Sequence, residues 1–139
     1  MEWLSFADVS WLGVLLAFVA SFVFGWLWYS QFAFFPVWAR LGNLDLERLG
    51  NTSMGPVFGQ MIVGNVLGIV TLALLMAGLG ASGPVDGLVL GLIVGVAFRA
   101  GAHLVHNGFA QRVGGITLID SAHDALALAI SGLVLGLFM

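Results

Sequence analysis

The chain has 139 residues, 60% of them hydrophobic and 8% charged, with a mean hydropathy of +1.08, which excludes an ordinary soluble domain. Once membrane spans are assigned, no length remains for a separate soluble catalytic domain. A net charge of -3, with four arginines and no lysine, argues against nucleic acid, and the lack of cysteine excludes disulfides and thiolate chemistry while leaving the redox compartment open.

The first of four apolar stretches runs from about 11 to 30, close to the ~20 residues needed to cross a hydrocarbon layer of about 30 Å. Its N-terminal flank carries Glu2 and Asp8 and no basic residue, the wrong pattern for a secretion signal, so it reads as a retained helix. A long loop follows. Within it, after Pro36 and Trp38, Leu44-Asp45-Leu46-Glu47-Arg48-Leu49 reads either as a short interfacial helix or as a solvated connector. The second span covers 57–79, and Gly80-Ala81-Ser82-Gly83-Pro84 turns the chain into the third, 85–107. Gly108 to Gly115 leads into the fourth, 116–138. Connections this short make neighbouring helices antiparallel. The expected fold is one domain over 1–139, an all-α integral membrane protein with four transmembrane helices in an antiparallel bundle.

Arginines set the expected orientation: Arg40 and Arg48 lie in the first loop, Arg112 in the third, and none lies in the second loop or at a terminus. Loops 1 and 3 are then cytoplasmic and both termini outside, with Glu2, Asp8 and Asp86 on the external side. Trp3 and Trp11 at one end, and Trp26, Trp28, Tyr29 and Trp38 at the other, fall where aromatic belts anchor a protein at headgroup level. Small residues recur at every fourth position, the pattern that lets lipid-embedded helices approach closely. In the four spans they are Gly13, Ala17, Ser21 and Gly25; Gly64 and Gly68; Gly87, Gly91 and Gly95; Gly132 and Gly136.

Each stripe continues by fours into polar residues, Tyr29 on the first helix, Gln60 on the second, Arg99, His103 and Asn107 on the third, Asp120 and Asp124 on the fourth, with Ser30 and Asn65 at similar depth beside them. These face the bundle interior in its cytoplasmic half. Folding the third and fourth spans about a turn near Arg112 brings Arg99 level with Asp124, and His103 level with Asp120 and Ser121. Arg99, His103 and His106 share one face at i, i+4 and i+7, and Asp120, His123 and Asp124 share another. A charge near the bilayer centre costs at least ~2.5 to 3.5 kcal/mol, so Arg99 is expected to pair with Asp124, as a structural ion pair or as part of a site that handles a ligand or ion. His103, His106, Asp120, His123 and Asp124 also offer imidazoles and carboxylates to a divalent metal, against which stand interhelical hydrogen bonds and a proton relay. No hydrolase, metalloprotease or phosphate-loop motif occurs.

Leu27-Trp28-Tyr29-Ser30, then Pro36 and Trp38, Asn107-Gly108-Phe109 with Arg112, and Leu118-Ile119-Asp120 with His123 and Gly132 resemble the membrane family known as domain of unknown function 1761. The resemblance covers nearly the whole chain. It implies four spans, a bacterial cytoplasmic membrane and a role for Trp28, Tyr29, Ser30, Asn107, Asp120 and His123, and it implies no activity. Gln31 stands where the family often has proline, and His103 and Asp124 lie outside the pattern. Beyond the lipid bilayer, the leading functional expectation is a small transporter or channel, working as a homo-oligomer, that handles protons, an ion or a small polar solute. A membrane-embedded metal protein or enzyme and an accessory subunit that docks a partner helix are the alternatives.

Overall fold

Ser10 opens the first long helix, its Oγ accepting from the Gly13 N–H at 3.2 Å. The computed structural model describes residues 5–139, and every regular element among them is helical. Helix α1 spans Trp11–Trp28, α2 Phe35–Leu41, α3 Leu46–Gly50, α4 Gly55–Leu79, α5 Pro84–Val94, α6 Gly101–Phe109 and α7 Gly114–Gly136. Between α5 and α6, Gly95–Ala100 is π-helical, so Pro84–Phe109 crosses as one span. Proline in the first turn opens α4 and α5, where an amide N–H would lack a partner in any case. Gly80, at φ 66°, closes α4 in the left-handed region that glycine enters without strain. Four of these helical stretches are long and apolar enough to cross a membrane, with Leu12, Leu15, Val63, Leu67, Val89 and Ile93 facing outward.

The tightest packing joins α5 to α7. Gly87 meets Gly132 backbone to backbone, Gly91 meets Leu128 and Ala129, Gly95 meets Ala125, and Gly136 meets Gly83. Partner numbers on α7 fall as those on α5 rise, so these two helices run in opposite directions. A Cβ on Gly95 would lie 2.8 Å from the Ala125 Cα. On α4, Met76 and Leu72 cover this seam at Gly87 and Gly132, and α1 packs along α7 from Gly13 beside Phe138 to Gly25 beside His123. Gly68 makes room for the Arg99 guanidinium. Gly64 departs from the expected stripe: a Cβ there would meet nothing within 4 Å. The buried apolar core, Val14, Ala17, Ile69, Leu72, Ala73, Met76, Leu128 and Leu135, fills the half of the bundle nearer the loop between α4 and α5.

The first loop is more ordered than a connector. Helix α3 covers most of the stretch 44–49, capped by Asp45, which accepts from the Arg48 N–H at 2.9 Å. Helix α2 has no counterpart in the sequence reading. It lies against the start of α7, with Ala39 buried and Leu41 set so close that a Cβ on Gly115 would come within 2.7 Å of its Cδ1. Trp3 and Glu2 lie outside the described residues.

Candidate functional site

Two carboxylates on α7, one helical turn apart, organise the polar end. The Oδ1 of Asp120 accepts from the Tyr29 hydroxyl at 2.7 Å and from the Trp38 indole N–H at 2.9 Å. Helix α2 and the end of α1 are therefore pinned to α7 through one oxygen. Asp124 is a different kind of node, because its partners titrate or are charged. Its Oδ1 faces His123 Nδ1 at 2.9 Å, its Oδ2 faces His103 Nε2 at 3.1 Å, and Arg99 Nη1 stands 3.8 Å from Oδ2. While this carboxylate is ionised it only accepts, and a ring nitrogen that bonds it then does so as the donor.

Arg99 sits inside the π-helical turn, where one extra residue per turn rotates the side chains that follow by roughly 100°. Its guanidinium donates to the Gly64 carbonyl at 3.0 Å as well as approaching Asp124. Arg99 is thus paired as expected, with a main-chain oxygen as its shorter contact. His103 does not meet Asp120; it reaches Asp124, one turn further along α7. Side chains lean toward their helix N-termini, which on the third span points His103 back toward the bundle middle. Arg99 and His103 do share a face, since both reach Asp124 Oδ2, but His106 does not join them: it is exposed on α6, which approaches α7 far less than α5 does.

His123 is enclosed by aromatic rings. Phe24 stacks on it with centroids 5.6 Å apart and planes 11° apart, Tyr29 lies at 5.0 Å and Trp28 at 6.2 Å. Trp28 packs in turn on Phe34 at 4.3 Å. Trp28, Tyr29 and Trp38 therefore point into the site, where a headgroup belt was expected; Trp11 and Trp26 remain exposed. The reason is α2, which folds back and covers this end of α1 and α7.

Among the described residues, four buried side-chain polar atoms have no partner: Trp28 Nε1, Asn107 Nδ2, Ser121 Oγ and His123 Nε2. Asn65 lines a cavity beside His123, and Ser30 lines a shallower one below Trp26. Gln60 is exposed and takes no part in the cluster. Asn107 is buried away from both carboxylates, and its carbonyl receives the Arg112 N–H at 3.0 Å. The five residues weighed as metal ligands divide into Asp120 with Tyr29 and Trp38, Asp124 with its two imidazoles, and a separate His106. Among the described residues, no three such groups are gathered to hold an ion.

A family model described as "Protein of unknown function (DUF1761)" matches residues 12–136. The chain belongs to the DUF1761 family. No curated protein and no solved structure matches it. Of the residues that carry the resemblance, Trp28, Tyr29, Trp38, Asp120 and His123 converge on this one site, while Asn107 and Arg112 close the turn between α6 and α7. Trp38 and the aromatic wall around His123 escaped the reading by charge and spacing, because indoles near a helix end look alike whether they anchor or bind.

Proposed function

We propose that this multi-pass membrane protein moves protons, or a small polar solute that carries one, through the cluster centred on Asp124. The observation that carries the reading is the bridge itself: one half-buried carboxylate holds an imidazole on each oxygen, with Arg99 beside it. Imidazoles exchange protons near neutral pH, and a carboxylate shared between two of them keeps both rings oriented while either gains or loses charge. Two titratable rings are more than a structural ion pair needs. The opposite half of the bundle is closed by the apolar core and the α5–α7 seam, so the described residues of a single copy enclose no polar path from face to face. Homo-oligomers, with the path completed between copies, accommodate this.

Reconstitution into liposomes with an internal pH dye and an imposed potassium diffusion potential tests the reading. Wild type should acidify or alkalinise the lumen faster than empty liposomes. Asp124→Asn should remove at least about nine-tenths of that rate, since each tenfold loss is only ~1.4 kcal/mol. His103→Gln should also slow it. A wild-type rate equal to that of empty liposomes rules proton movement out, and an undiminished Asp124→Asn rate rules out a path through Asp124.

A further inference from the structure

Between the loop-1 ends of α1 and α4 lies a cavity of about 280 Å³, the small end of the range for ring-sized ligands. Its walls are apolar, with Phe22, Trp26, Phe58 and Met61 around it, and Phe22, Trp26 and Phe58 are exposed on the lipid-facing surface. Four polar side chains break that lining: Ser21, Asn65, His123 and Tyr29, whose hydroxyl is already committed to Asp120. His123 Nδ1 is committed to Asp124 at 2.9 Å, whereas its Nε2 is buried with no partner in the protein. A buried ring nitrogen left unmatched costs free energy unless something enters to bond it.

Gly25 packs beside that nitrogen and lines the same cavity. A Cβ on it would stand 3.0 Å from His123 Nε2, crowding the ring edge that a ligand atom would have to approach. An acyl chain in the cavity would satisfy the walls and leave Nε2 bare. A flat ring suits Phe22, Trp26 and Phe58, because aromatic faces stack with partners offset or edge-on. A hydroxyl suits Nε2 in either state of the imidazole, since it donates to the neutral ring and accepts from the charged one.

We propose that this cavity binds a flat, apolar ring bearing a hydroxyl group, of the phenol or quinol class, which enters from the lipid and bonds His123 Nε2. This goes beyond proton movement and does not depend on it, because binding is read at equilibrium with no gradient across a membrane.

The test uses the full chain in lipid nanodiscs with two probes of similar shape, 2-naphthol and 2-methylnaphthalene. Binding is followed by quenching of tryptophan fluorescence and by the ring-nitrogen resonances of 15N-labelled histidine, with His123 assigned by its loss in His123→Gln. Wild type should bind 2-naphthol saturably and about tenfold more tightly than 2-methylnaphthalene, the preference that one hydrogen bond supplies, with the His123 Nε2 resonance moving as the site fills. Gly25→Ala should abolish the preference. Met61→Trp, which fills the cavity without touching Nε2, should weaken both probes and serves if Gly25→Ala does not fold. Equal affinity for the two probes in wild type would make the cavity a lipid-tail groove and overturn the proposal. So would the absence of saturable binding, a preference that survives in Gly25→Ala, or undiminished binding of both probes to Met61→Trp.

Discussion

At Asp120 a single oxygen takes two neutral donors, from residues 91 and 82 positions away in the chain. Removing the acceptor strands a hydroxyl and an indole N–H in a partly buried place, at about 1 to 3 kcal/mol for each unmatched group. Asp120→Ala should therefore lower the thermal stability of the purified protein and shift the Trp38 emission to longer wavelength as α2 lifts from α7. Asp120→Asn keeps a carbonyl oxygen at the same place and should lose less than half as much. Equal losses in the two variants would show that charge, and not acceptor geometry, holds α2 down. The sequence singled out Tyr29 and Asp120 as polar groups in an apolar chain. It did not pair them, since a contact across such a separation leaves no trace in local spacing, and equal distance from a turn matched Asp120 with His103 instead. That construction treats both helices as straight and their side chains as level with their Cα atoms, and here neither holds.

The glycine stripes separate what spacing tells about an element from what it does not. Fourth-position glycines correctly marked α5 and α7 as helices that pack closely. Gly64 carries the same spacing, yet the side of it where a Cβ would project is open, because a stripe shows which face is smooth and not whether a neighbouring helix lies on it. Gly91→Ala should force a Cβ into the Leu128 carbonyl and Ala129, part α5 from α7 and cost about 1 to 3 kcal/mol. Gly64→Ala should be neutral or slightly stabilising, since alanine exceeds glycine in helix propensity by up to ~1 kcal/mol. Denaturation of both variants in a graded detergent series checks the pair, and similar losses would show that the seam is not the tight element it looks. The π-helical turn at Gly95–Ala100 was not legible at all. Its sequence, Gly-Val-Ala-Phe-Arg-Ala, suits an α-helix equally well, and nothing local in it marks the turn from which Arg99 reaches Gly64 and Asp124.

Across the whole molecule the polar and apolar halves are segregated, and the orientation in the membrane decides which compartment the polar half serves. Helix α2 rests on the start of α7, so the first loop, with Arg40 and Arg48, lies at the same end as the turn that holds Arg112. The loop between α4 and α5, at the other end, carries no arginine, and Asp86 follows it in the first turn of α5. Arginine-bearing short loops stay in the cytoplasm, which predicts that the Asp120 and Asp124 end faces inward. The chain has no cysteine, so single substitutions report without background. Ser82→Cys and Ala110→Cys both fall at exposed positions, one in each class of loop. In intact cells a membrane-impermeant maleimide should label Ser82→Cys at once, and should label Ala110→Cys only after the cells are opened. The opposite pattern would turn the polar half outward, and the His103–Asp124–His123 bridge would then meet the external pH first. Labelling of both variants in intact cells would mean that copies insert in both directions, as three arginines are a small bias to set against four apolar spans.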